Sequence, residues 1–211
     1  MSWLVVVDFD GTITERDTQD GLLERHAPAA YAEAERGLAE GRRTLRECME
    51  REFAPVRGDH AAIVAETVEA ARVREGFPEF VEAMEAAGNR LVVVSGGFES
   101  VIRPVLERAG AGHLPVLAHE FRITPEGTTL EFRADADCDV CGEECKRGVV
   151  ASMRDGVPVA YIGDGYSDRC AAIAADRRFA RRHLARDLDE LGLDYTPFDD
   201  FHTIRDALLA D

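Results

Sequence analysis

Lysine is almost absent from this chain of 211 residues: 24 of its 25 basic side chains are arginine, and the single lysine stands at position 146. Basic charge is scarce as a whole, since 41 acidic residues bring the formal net charge to -16. Nucleic acids and anionic membranes are bound through clustered Lys and Arg, so neither is an expected partner. A small anionic substrate needs only a local positive pocket and is not excluded. Long apolar runs are missing too. MSWLVVVDFD has no basic leader, and its apolar stretch is too short for a signal peptide or a membrane span, so a cytoplasmic location is expected. Five cysteines (Cys48, Cys138, Cys141, Cys145, Cys170) in a chain of this length do not read as a secreted disulfide framework. Internal repeats and low-complexity linkers are also lacking.

What is present is globular. Hydrophobic residues make up 45% of the chain, enough for one substantial core, or a core plus a small accessory domain. WLVVVDFD, RLVVVSGG (90–97) and VPVAYIGDG (157–165) are apolar runs that end in small or acidic residues, the pattern of strands buried on both faces. Helical patterns cover 77–88, 99–110, 146–156 and 167–176. This alternation predicts an α/β fold with a doubly wound, Rossmann-like parallel sheet, whose sites lie at the carboxyl ends of the strands. Residues 15–75 break the alternation with helical patterns only, so we expect a helical-bundle cap at 15–75 inserted into a core of 1–14 and 76–211. AHEFRITPEGTTLEFR (118–133) alternates around a Pro-Glu-Gly turn and reads as a second insertion, a β-hairpin.

Three strand-end segments and the lone lysine at a helix start carry chemistry. In DFDGTIT (8–14), Asp8 can attack phosphorus and form an aspartyl-phosphate, and Asp10 can protonate the leaving oxygen and then deprotonate water. An acidic strand end before a turn is the plainer alternative. Ser95, Gly96 and Gly97 offer a hydroxyl and amides at a helix start, an anion cradle that by itself is more often a simple turn. In GDGYSD (163–168), Asp164 suits Mg²⁺ together with Asp8 and the Asp10 main-chain carbonyl, while Asp168 sits behind and orients Lys146 or a metal-bound water. Such acidic loops also arise as turns that cap helices. Lys146 supplies a compact ammonium that a guanidinium fork does not imitate, able to hold nucleophile and phosphoryl oxygens together.

In this order, D-x-D-G-T, Ser after an apolar strand, Lys, and G-D-G-x-x-D resemble the haloacid dehalogenase-like hydrolase superfamily, over the whole chain. The helical insertion is similar to the cap of its phosphoserine phosphatase-like branch. The resemblance implies Mg²⁺-dependent phosphatase chemistry on a small phosphorylated metabolite, with Thr12 among the phosphate-binding residues. Asp17 matches an acidic position facing the substrate, and it reads equally as a helix N-terminal acid. ARVREGFPEFVEAM, VVVSGGFESVIRPVL, the Cys before Lys146 and FARRHL look like the methionine-salvage phosphatases acting on 2-hydroxy-3-keto-5-methylthiopentenyl 1-phosphate. A phosphoserine or broad small-metabolite phosphatase is the runner-up. A non-enzyme alternative is an Asp-phosphorylated receiver-like regulatory module, which would need neither the inserted helices nor Asp10.

Cys138-x-x-Cys141-x-x-x-Cys145 leads directly into Lys146. Free thiols are the default, beside a Cys138–Cys145 disulfide or a zinc site whose fourth ligand would come from Asp135, Asp137, Asp139 or His119.

Overall fold

The computed structural model describes residues 2–133, 138, 140–141 and 145–210. Its centre is β1 (Leu4–Val7), four residues buried on both faces. It pairs in parallel with β2 (Arg90–Phe98) on one side and β5 (Val159–Gly163) on the other. With β3 (Val116–Ile123), β4 (Thr128–Glu131), β6 (Arg177–Ala180) and β7 (Thr196–Pro197), the sheet has the order β4-β3-β2-β1-β5-β6-β7. Among the described strands of this sheet, only the β3–β4 pair is antiparallel.

Side chains alternate across a strand, so consecutive residues of β1 feed two separate cores. Val5 and Val7 pack with Phe77, Phe80 and Met84 of α5 (Phe77–Ala86), Ile102 and Val105 of α6 (Glu99–Arg108), and Phe201 and Ile204 of α10 (Phe201–Leu209). Leu4 and Val6 pack with Val149 and Val150 of α7 (Lys146–Met153), Ala171 and Ala172 of α8 (Arg169–Ala174), and Leu184 and Leu188 of α9 (Arg182–Leu191). The parallel α/β architecture follows from that double coverage.

Between β1 and α5 come four helices: α1 (Thr18–His26), α2 (Pro28–Ala39), α3 (Leu45–Phe53) and α4 (His60–Ala70). Local signals set their starts. Asp17 caps α1, Thr44 and Glu47 form a capping box on α3, and Asp59 caps α4. The two connections to these helices lie side by side, with Thr14 bridged to Val73, Glu15 N donating to Arg72 O at 2.9 Å and Arg74 N to Ile13 O at 2.8 Å. The helices are not closed on themselves. Leu22, Leu23, Met49 and Phe53 share one apolar cluster with Phe98, Val101, Phe121 and Ile123. Phe98 stacks on Phe121 at 4.4 Å, and Phe53 meets Phe98 edge-on at 5.0 Å.

The hairpin expected at 118–133 forms, with Glu120 opposite Glu131 and Ile123 opposite Thr128, but it is not a separate insertion. Its first strand begins in the main sheet, where Val116 pairs with Val93, and then runs beyond the sheet edge to pair with β4. The alternating half was visible in sequence, whereas the preceding VLA is too short an apolar run to announce a parallel strand.

Candidate active site

The carboxyl ends of β1, β2 and β5 deliver the candidate residues to one place. After β1 the chain turns at Gly11, whose φ of 72° is the left-handed region open to glycine. A Cβ there would also collide with the Asp164 carboxylate. Asp8 is thereby exposed to the groups arriving from β5 and α7. Lys146, the first residue of α7, is buried and donates to Asp8 Oδ1 and, at 2.6 Å, to Asp168 Oδ1.

Asp168 is saturated. Its Oδ1 also accepts from the Tyr161 hydroxyl at 2.7 Å, and its Oδ2 accepts from the amides of Asp164 and Gly165 at 3.0 and 2.9 Å. It therefore holds Lys146 and shapes the loop carrying Asp164. Burial alone would lower the Lys146 ammonium, but Asp168 and Asp8 hold it above its ordinary value, so it stays charged. Burial, then the Asp168 carboxylate, pushes Asp8 well above the usual carboxylate range, against the pull of Lys146. Burial and Asp168 likewise push Asp164 up to about 6.

Oxygens of Asp8, Asp164 and Asp168 lie within 4.8 Å of one another. Carboxylates gathered this closely around one ammonium carry excess negative charge, and the all-oxygen donor set suits a hard divalent cation. Because Asp168 is fully occupied, Asp8 and Asp164 are the oxygen donors that fit Mg²⁺. Arg182 reaches Asp164 Oδ2 only at 3.6 Å from a half-exposed position.

Asp10 is held by one oxygen. Its Oδ1 accepts from Thr18 N at 2.8 Å and Thr18 Oγ1 at 2.6 Å, while its Oδ2 is buried with no partner among the described residues. Gly97 leaves room for that oxygen, for a Cβ at 97 would strike it. Burial raises Asp10 above its ordinary value, and the two Thr18 bonds limit the rise. Thr18 was not anticipated; it is the first residue of a helix whose N-terminus happens to face the strand end.

Two expectations are corrected. Thr12 is fully buried and donates to Asp164 Oδ1 at 3.0 Å, so its hydroxyl supports a carboxylate instead of facing the cavity. Ser95, Gly96 and Gly97 are not at a helix start. β2 continues to Phe98, and the Gly97 amide donates to Ser95 Oγ at 2.9 Å. Ser95, Gly96 and Gly97 do line the cavity.

That cavity, of about 270 Å³, runs from Asp8, Asp10 and Asp164 up to α1, α2 and α3. Lys146 approaches from a small side cavity bordered by Ser95 and Met49. Asp17 accepts from Gln19 N and Asp20 N as the cap of α1, and it also lines the cavity. The wall contributed by α1, α2 and α3 is apolar at Leu23, Leu38, Leu45 and Met49 and acidic at Asp17, Asp20, Glu35 and Glu52. Among the described lining residues of that wall there is no Lys or Arg. Asp20 accepts from the Tyr31 hydroxyl at 2.6 Å. Glu52 is 7% exposed and, among the described residues, has no hydrogen-bond or ion-pair partner; burial, then Glu35 and Asp20, pushes it up to about 7. In sequence Glu52 reads as one more surface acid of α3.

The cysteines are free thiols, the default reading, but the group before Lys146 gains a fourth member. No disulfide joins any of the five. Cys170, on α8, joins Cys138, Cys141 and Cys145 in one group. His119 is not a member; its Nδ1 accepts from Arg133 N at 3.0 Å. Asp135, Asp137 and Asp139 lie outside the described residues.

A family model described as haloacid dehalogenase-like hydrolase matches residues 5–172, and the chain belongs to that family as one of its phosphatases. The 2-hydroxy-3-keto-5-methylthiopentenyl-1-phosphate phosphatase of Bacillus cereus is 30% identical over 216 residues, covering 99% of this chain and 96% of that protein. The "Bifunctional enzyme MtnB/MtnX" of Bacillus licheniformis is 32% identical over 215 residues and covers 97% of this chain, which spans 49% of that longer protein. Among solved structures, a phospho-aspartyl intermediate analogue of phosphoserine phosphatase matches with a TM-score of 0.76 over 98% of both chains at 19% identity. The phosphoserine phosphatase from T. onnurineus matches with a TM-score of 0.73 at 20% identity, over 98% of this chain and 94% of that one. At such identities these likenesses speak for the fold. No helix among the described residues is long and apolar enough to cross a membrane.

Proposed function

We propose that the chain is a Mg²⁺-dependent phosphatase that hydrolyses a small phosphomonoester through an aspartyl-phosphate on Asp8. The observation that carries this reading is the pairing of a lysine-held Asp8 with Asp10, whose Oδ2 is buried, unpartnered and fixed in place through Thr18. An Asp8 oxygen attacks phosphorus while the bond to the leaving oxygen breaks, and Asp10 gives that oxygen its proton. Water then attacks the acyl-phosphate, Asp10 takes a proton from it, and phosphate leaves with Asp8 restored. Burial favours the protonated Asp10 that the first step requires. Ser95 and the Gly96 region border the phosphoryl position, and Lys146 offsets its charge. Mg²⁺, held by Asp8, Asp164 and the Asp10 carbonyl, would neutralise phosphoryl oxygens.

The ester named for the Bacillus cereus relative is uncharged beyond its phosphate, and Leu23, Leu38, Leu45 and Met49 offer such a leaving group an apolar surface. A second reading, an ester with an ammonium on its leaving group, is favoured by the buried and unpartnered Glu52 beside Asp20 and Glu35. Both readings oppose a carboxylate-bearing ester, which would face four acids with no basic side chain on that wall. Phosphate release should be measured for propyl phosphate, O-phosphoethanolamine, 2-phosphoglycolate and the relatives' ester, with Mg²⁺ and with EDTA. Hydrolysis should require Mg²⁺, and phosphoglycolate should be the poorest substrate. Asp8→Asn should retain under about 1% of kcat, a barrier change near 2.7 kcal/mol. Undiminished turnover by that variant would refute the assignment of the nucleophile.

A further inference from the structure

We propose that Cys138, Cys141, Cys145 and Cys170 form a four-thiolate Zn²⁺ site that anchors the start of α7. Their sulfur atoms lie within 4.8 Å of one another without any disulfide. A tetrahedral site with Zn–S distances of about 2.3 Å sets its sulfurs about 3.8 Å apart, so closure needs shifts of about 1 Å or less. Apolar packing of thiols does not explain the group. Cys138 and Cys170 are buried, but Cys145 is half-buried and Cys141 exposed, so the convergence crosses from interior to surface. The remaining cysteine, Cys48, lies apart on α3, donating to Ala34 O.

The donor set selects the metal. Four soft thiolates suit zinc and exclude the Mg²⁺ expected at the carboxylates. With all four positions taken, the site has no place for a substrate and is structural. Val140 N already points at Cys138 Sγ, at 3.4 Å. Binding would release the thiol protons to solvent.

The placement has a consequence for the phosphate site. Cys145 is the residue just before α7, in extended conformation, and Lys146 is the first residue of the helix. Cys170 follows Asp168 by two residues. A metal joining Cys145 to Cys170 therefore ties together the two segments whose side chains make the Lys146–Asp168 ion pair. The cysteines are positioning residues for the lysine, remote from the reacting atoms.

Protein purified without chelator should carry about one zinc per chain that survives dialysis, and a mercurial thiol reagent should release it. Reconstitution with Co²⁺ should give the intense visible bands of tetrahedral thiolate coordination. Cys170→Ser should weaken zinc binding at least tenfold, and Cys170→His, which keeps a zinc ligand, should restore most of it. If Cys170→Ser does not fold, the Co²⁺ spectrum of the unaltered protein decides. Absence of zinc after refolding with Zn²⁺, iron in its place, a disulfide in the thiol count, or oxygen-type Co²⁺ bands would each overturn the proposal.

Discussion

Replacing Glu52 by Gln removes a charge while keeping the shape of the side chain. The Glu52 carboxyl is pushed from the usual 4.5 to about 7, by burial first and then by Glu35 and Asp20. The folded state therefore binds a proton more tightly than the unfolded chain, and the stabilisation is complete only below about pH 4.5. As pH rises toward 7 the unfolded chain gives up this proton first, so stability is lost across the window from about 4.5 to 7. A shift of about 2.5 units at about 1.4 kcal/mol each gives a loss on the order of 3 kcal/mol, of which about 2.5 falls between pH 5 and pH 8. Glu52→Gln has no such proton. The groups facing position 52 are Asp20 on α1, Glu35 on α2 and the Cys48 thiol one turn back on α3. All remain in the variant, so the difference between the two proteins isolates Glu52. Urea unfolding at pH 5 and pH 8, at one metal concentration, should show the Glu52→Gln variant gaining about 2 kcal/mol or more on the parent between the two. Parallel pH profiles would refute the buried, unpaired state of this carboxyl.

Lys146→Arg keeps the charge but places a planar fork between two buried carboxylates, and kcat/KM should fall at least about a hundredfold, the scale of losing one electrostatic donor in a reacting site. Near-parental activity would mean that the ammonium is not required. Gly97→Ala would drive a methyl group into Asp10 Oδ2, so kcat should fall with little change in unfolding midpoint; unchanged kcat would show that Asp10 can move freely. Arg74 donates to the carbonyls of Gly11, Thr12, Thr14 and Asp199 at 2.8 to 3.2 Å. Arg74→Lys should leave at least one of these buried acceptors without its donor and cost about 2 kcal/mol by urea unfolding. A variant as stable as the parent would show that the carbonyls are satisfied without it.

The strand ends were legible because their signals are local. An apolar run closing on Asp8, Ser95 or Asp164 states both the buried strand and its polar end within ten residues. The helices of 15–75 were legible for the same reason, through their helical period and Asp17 as a helix N-terminal acid, while Thr44 and Asp59 emerged as caps only in the structure. Residues whose meaning depends on distant neighbours were not. Glu52 sits in LRECMEREF like any acid of an amphipathic helix, and only the docking of α3 over the strand ends buries it. Cys170 appears unrelated to the cysteines before Lys146 until α7 and α8 pack together. Arg74 is one arginine among 24, and nothing nearby in sequence marks it as the side chain that ties the turn after β1 to the chain returning from α4.

The single lysine illustrates how the two kinds of information combine. Its rarity in an arginine-rich chain raised the question, but rarity alone cannot separate chance from need. The geometry supplies the missing term. An ammonium has three N–H donors radiating from one atom; Asp8 and Asp168 take two of them, and Asp168 is fixed by Tyr161 and by two backbone amides. On the proposed mechanism the third donor serves a phosphoryl oxygen as Asp8 attacks. A guanidinium at the same site would spread its donors across a plane wider than the gap between the carboxylates, and its bulk would have to displace Asp8, the atom group that must reach phosphorus. Position 146 therefore constrains the side chain by size as well as by charge, which is why arginine, free to serve elsewhere in the chain, does not serve there.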